Sequence, residues 1–233
     1  MASFGSDEEH IRDLLIKRGH RKWGFVIYRC TYDDDAAWVR FMEIANRCAE
    51  DDLTDSDVPE LLQTLDWKVH EDRELLDGAS KDQVRKHFLS WVASDAAKAE
   101  QYDPDRPEWQ AFDTMLGLTP RYTYCVHVDA AALHSVVYEA PQPDIRGIGY
   151  VNLIDAEWEM PDPATFDFEI NGMDPETDDP TDEGEEPIEG CRMTHVGWMK
   201  MGAQSMGVSA YAFLGQSGMF YAVYARPPDV WTR

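Results

Sequence analysis

Three times along the chain, around residues 23–70, 121–158 and 194–226, a run of apolar, β-branched and aromatic residues leads into an amphipathic helical stretch and then a second such run. Each time the side-chain period changes from 2 to 3.6 and back, so the sequence describes a sheet with helices packed on it. Six strands are expected: Trp23–Cys30, the second half of Leu61–His70, Arg121–Val128, Gly147–Trp158, Thr194–Met201 and Met219–Arg226. Several alternate apolar with polar residues, the pattern of a sheet with one wet face. The expected fold class is therefore α+β: a ferredoxin-like mixed or antiparallel sheet with helices mainly on one face, elaborated by an extra strand-helix-strand unit. A doubly wound parallel sheet is the runner-up.

Helix boundaries are marked by local chemistry. Ser6 with Glu9, and Ser80 with Gln83, have the spacing of capping boxes. Asp33–Asp35 offers an N-cap for a helix carrying Trp38, Phe41, Met42, Ala45 and Cys48 on one face, and Gly19 is a stop for the first helix. Gln101–Pro120, with Pro104, Pro107 and Pro120, is expected to be an irregular connection whose Trp109, Phe112, Met115 and Leu116 cover core. A length of 233 residues suits one domain, residues 1–233. Within it, Glu159–Gly190 holds 13 acidic residues, 5 prolines and no Lys or Arg. Mutual repulsion and scarce apolar side chains predict a solvated, mobile insertion over 159–190, pinned by Phe166, Phe168 and Ile170.

The composition excludes several functions. Against 21 Lys and Arg stand 45 Asp and Glu, a formal net charge of −24, which disfavours nucleic acid and anionic membranes as partners. No run reaches the roughly 18 apolar residues of a membrane span. Cys30, Cys48, Cys125 and Cys191 form no C-x-x-C pair and the N-terminus lacks an apolar leader, so a cytoplasmic protein with reduced thiols is expected. There is no G-x-G-x-x-G, no G-x-x-x-x-G-K-[ST] and no G-x-S-x-G, and the seven histidines form no H-E-x-x-H. No cofactor and no metal are indicated.

Three stretches carry a family resemblance: Trp23-Gly-Phe-Val-Ile-Tyr-Arg29 with Thr31-Tyr-Asp-Asp-Asp-Ala-Ala-Trp38, then Val196-Gly-Trp-Met-Lys200, then Tyr224-Ala-Arg-Pro-Pro228. In these the chain resembles a widespread group of uncharacterised proteins from ascomycete fungi. The resemblance implies a fungal origin and a shared fold, and brings no activity to any residue.

If helices cover one sheet face, the other must be solvated, paired in a homodimer, or roofed into a cavity. A roofed cavity is the ordinary setting of a small-molecule site. There His127 and Asp155 are candidate acid or base, while Tyr124 and Arg226 are candidate donors to a carbonyl gaining negative charge. Tyr28, Trp67, Trp198, Met199 and Tyr224 are candidates to hold an apolar substrate. This reading expects a cofactor-independent cyclase or isomerase, pericyclic chemistry included, acting on a small apolar molecule in fungal secondary metabolism. The alternative is a non-enzymatic acidic protein that recruits a basic protein partner through residues 161–189.

Overall fold

A six-stranded mixed sheet, in the order β2-β1-β3-β4-β5-β6, organises the chain. Its strands are β1 (Val26–Arg29), β2 (Lys68–His70), β3 (Tyr124–Val128), β4 (Tyr150–Asp155), β5 (Trp198–Gly202) and β6 (Val230–Trp231). β1 lies parallel between β2 and β3, β6 is parallel to β5, and β4 runs antiparallel to both its neighbours. The computed structural model describes residues 5–54, 56–101, 119–139 and 149–233. The connection over Gln101–Pro120, with Trp109, Phe112, Met115 and Leu116, lies almost wholly outside them, as does the start of the run at Gly147.

The helices are α1 (Asp7–Arg18), α2 (Asp35–Thr54), α3 (Arg73–Leu76), α4 (Lys81–Val92), α5 (Asp95–Ala99), α6 (Pro120–Thr123), α7 (Ala130–His134), α8 (Phe168–Asn171), α9 (Val208–Leu214) and α10 (Met219–Ala222). Local chemistry sets their ends as expected. Both capping boxes form, and Gly19 closes α1 with φ of 68°. From the acidic triplet, Asp34 Oδ1 accepts the Ala37 N–H at 2.8 Å, the arrangement of an N-cap, and Asp35 pairs with Arg29.

The mixed α+β class holds, but two finer expectations do not. A ferredoxin-like unit does not place β1 parallel to both neighbours in the order seen here. Nor do the helices keep to one face. Phe25, Ile27, Val126, Val128, Val151, Leu153, Met199 and Met201 pack against residues of α1, α2, α7 and α9. On the opposite face Val26, Tyr28, Cys125, Ile154 and Trp198 pack against Leu76, Val84, Phe88, Trp91 and Ala97 from α3, α4 and α5. Of the polar positions that made the strands look half-solvated, Tyr28, His127 and Asn152 are buried and hydrogen-bonded internally, while His70 and Lys200 at the flanks are partly exposed. Tyr28 stands in register with His70 on one side and His127 on the other, His127 with Asn152, and Asn152 with Lys200. This polar row crosses five strands beneath the second helical layer.

The last strand also moves. Met219–Arg226 begins as α10, with Phe220 buried against Tyr124 at 5.3 Å and Tyr221 exposed, and β6 forms only after Pro227 and Pro228. The aromatic residues of that run suit a strand, but a helical turn that buries Phe220 against Tyr124 prevails. In the acidic stretch, Phe166 and Phe168 meet each other at 5.1 Å and Ile170 is exposed. Ile188, Cys191 and Met193 instead join the second-face core, and Arg226 grips the stretch through the carbonyls of Glu186 (2.7 Å) and Met193 (3.2 Å).

Candidate active site

The structure divides the candidate residues between the two sheet faces. His127 is buried on the second face, where the Asn152 amide donates to Nδ1 at 3.2 Å and the Ala79 carbonyl lies 2.9 Å from Nε2. With Nδ1 accepting, the proton sits on Nε2 and both nitrogens are engaged. Burial lowers the pKa of His127 and keeps it neutral. Tyr28 is likewise internal, its hydroxyl 3.0 Å from His87 Nδ1 and its ring stacked on His70 at 4.8 Å. Met199 is fully buried in the first-face core. Trp67 donates its indole N–H to Asn46 at 3.0 Å, Trp198 lies under Lys81 at 4.0 Å, and Arg226 is held by backbone carbonyls. These residues do not surround one cavity, and Asp155 cannot orient His127, because the two side chains leave opposite faces of the sheet.

What the register does bring together is Tyr124 and Asp155, directly opposed on β3 and β4. Both line a half-open cleft of about 450 Å³. Arg18 at the end of α1, Glu157, the Leu214–Gly218 turn and Tyr221 complete its wall. Local sequence explains this shape. Gly218, at φ of 77°, lets the chain reverse between α9 and α10. The reversal buries Phe220 beneath Tyr124 and leaves Tyr221 over Asp155.

Asp155 is 3% exposed and forms the floor. Its Oδ2 accepts the Tyr221 hydroxyl at 3.0 Å and its Oδ1 accepts the Glu157 N–H at 3.0 Å. Desolvation outweighs these hydrogen bonds and the nearby Arg85, so the carboxyl pKa is raised above the ordinary aspartate value. Partial desolvation of its hydroxyl, joined by the charge of Asp155 and the hydrogen bond to it, pushes Tyr221 up to about 12. Tyr124 is also raised, first by burial and then by Asp155. A carboxyl whose pKa is raised by burial, facing a cleft and flanked by two phenols, is equipped to exchange a proton with a bound molecule.

Behind Tyr221 lies His195, 5.2 Å from that ring and 4.1 Å from the ring of Tyr224. The Tyr224 hydroxyl accepts the Val196 N–H at 3.0 Å, so this residue positions the β5 entrance rather than gripping a ligand. His195 Nδ1 is buried without a hydrogen-bond partner, and burial lowers its pKa while Glu183 and Asp155 pull the other way. Tyr221 and His195 escaped the sequence reading. Both sat in runs read as strand, with no motif to single them out.

Among the described residues, no group of three or more His, Cys, Asp or Glu is placed to hold a metal ion. Among the same residues, no helix is long and apolar enough to cross a membrane. No family model matches the chain, and no curated protein or solved structure is significantly similar to it.

Proposed function

We propose that the protein is a cofactor-independent small-molecule enzyme, an isomerase or cyclase that moves a proton at the Asp155 cleft. The observation that carries this reading is the buried carboxyl of Asp155, raised in pKa, open to the cleft and flanked by Tyr124 and Tyr221. Asp155 as carboxylate takes a proton from a carbon next to a substrate carbonyl, and the Tyr124 hydroxyl donates to the oxygen that becomes negative. Return of the same proton to another carbon completes an isomerisation with no net change in charge or oxidation state. Tyr221 holds the carboxylate in place. This differs from shape selection in a closed apolar hollow, because the cleft is half-open and rimmed by Arg18, Glu157 and Gln216. A place in fungal secondary metabolism is part of the same proposal.

The test is deuterium exchange. Small enolisable ketones and keto acids incubated with the protein in heavy water are followed by NMR at the carbon next to the carbonyl. Wild type is expected to catalyse exchange on a subset of them, D155N to lose about 100-fold or more of that rate, and H127Q to keep it. Exchange that D155N supports as well as wild type rejects the proposal.

A second reading, recruitment of a basic protein, is supported by the outward-facing acidic side chains of residues 161–187. Binding that weakens steeply with salt, and that disappears when residues 162–180 are removed, would favour it.

A further inference from the structure

The one non-glycine residue with positive φ among the described residues lies at the end of the acidic stretch. Glu189 has φ of 50° and Gly190 follows at 87°. Ile188 and Cys191 exchange both backbone hydrogen bonds, each 2.9 Å, which makes Glu189-Gly190 the tip of a two-residue hairpin. Such a tip favours Asn, Asp or Gly at its first position and is unfavourable for Glu. A strained residue persists where its surroundings hold it. Here the hold is visible: the Glu189 carboxylate lies 2.6 Å from Lys81 Nζ.

Lys81 is 8% exposed and its ammonium lies 4.0 Å from the Trp198 ring. Both line a second cleft, of about 510 Å³, on the far side of the sheet from the Asp155 carboxyl. Trp158, Met160, Ile188 and Val196 supply apolar wall. Of the other cations there, Arg85 is spent on the carbonyls of Asp155 (3.0 Å) and Gly197 (2.9 Å), and Lys86 on Asp82 (2.8 Å). A nearly buried ammonium requires a counter-anion. In a chain of net charge −24, a cleft that sets Lys81, Arg85 and Lys86 against the carboxylates of Asp82, Glu159 and Glu189 is a local exception to the general repulsion of anions.

We propose that this cleft binds an amphipathic carboxylic acid, and that Glu189 is a tethered carboxylate occupying the position of the ligand's head group. The ligand's carboxylate replaces that of Glu189 on Lys81, and its apolar body lies along Trp198, Trp158 and Met160. Glu189 is half-exposed, so its side chain can swing to water when displaced. The Glu189 side chain then acts as a gate whose closed state is the ion pair with Lys81, while the hairpin backbone stays in place.

Octanoate is the probe, with 1-octanol as its neutral counterpart, and the indole N–H signals of Trp158 and Trp198 report binding by NMR. Octanoate is expected to bind saturably and octanol to bind at least about tenfold more weakly. E189Q removes the competing charge and is expected to tighten octanoate about tenfold, whereas K81M weakens it by about as much. E189G also removes the carboxylate but relieves the backbone, so tightening in both E189Q and E189G assigns the effect to charge rather than to the turn. If neither binds octanoate more tightly than wild type, the proposal is overturned and the Lys81–Glu189 contact is an ordinary structural ion pair. Should K81M fail to fold, judged by circular dichroism, the two Glu189 variants decide alone. D155N is expected to bind octanoate as wild type does, so this site stands or falls apart from the activity proposed above.

Discussion

At the scale of single residues, chemistry within a few positions was readable and chemistry across strands was not. The capping boxes at Ser6 and Ser80 formed because each partner lies three residues away. Asp155, Tyr124 and His127 could all be chosen as polar residues on strands, and the parity along each strand could be counted. Only the pairing of Tyr124 with Asp155 shows that these two share a face and that His127 belongs to the other. A prediction follows from the raised pKa of Asp155. The folded state binds its proton more tightly than the unfolded state, so this group lowers stability as pH rises above the unfolded carboxyl value, about 3.9, and toward the folded one. D155N is therefore expected to melt higher than wild type at pH 7, with the gap closing as the pH falls toward 4. Thermal melts at several pH values check this. A gap that widens in acid would contradict the raised pKa, and a higher melting point beside lost exchange activity would mark a site kept at a cost in stability.

At the scale of elements, β1, α2 and α4 were legible because each has a strong period and clear end signals, and so was β3, although residues 121–123 of its expected run belong to the helical turn α6. β5 was legible too, though it starts four residues later than its run suggested. The place of Gly197 just before it shows why. With φ of 73°, Gly197 has Trp158 so close that an added Cβ would lie 2.4 Å from the indole and 2.6 Å from Arg85 Nη2. The Arg85 guanidinium lies 5.1 Å from the Trp158 ring and donates to the Gly197 carbonyl at 2.9 Å. G197A is thus expected to cost about 2 kcal/mol or more, through backbone strain and displacement of Trp158. Urea unfolding measures the loss. Because α4 and the β4–β5 ends meet at this point, the same variant is expected to weaken octanoate binding. The error at β6 has a different origin: Met219–Ala222 is too short for periodicity to separate strand from helix, and burial of Phe220 against Tyr124 tips the balance.

At the scale of the whole molecule, charge rather than packing sets the environmental response. More than half of the net charge of −24 falls in the stretch from Glu159 to Gly190, and this repulsion reaches further at low ionic strength, where the screening length grows from about 8 Å at 0.15 M to about 30 Å at 0.01 M salt. The melting temperature is expected to rise between 0.01 and about 0.2 M sodium chloride, and to rise less once Asp174, Asp178 and Asp179 are changed to Asn. An unchanged salt response in that triple variant would show that the exposed stretch contributes little to the repulsion. Composition, strand and helix content, capping and the acidic block are written in the order of the residues, since each depends on neighbours a few positions apart or on sums over the chain. Strand order, the burial of both faces, and the separation of His127 from Asp155 depend on which distant segments pair and in what register. No local signal carries that choice, because shifting one strand by a single residue exchanges its faces while leaving its own pattern of residues intact.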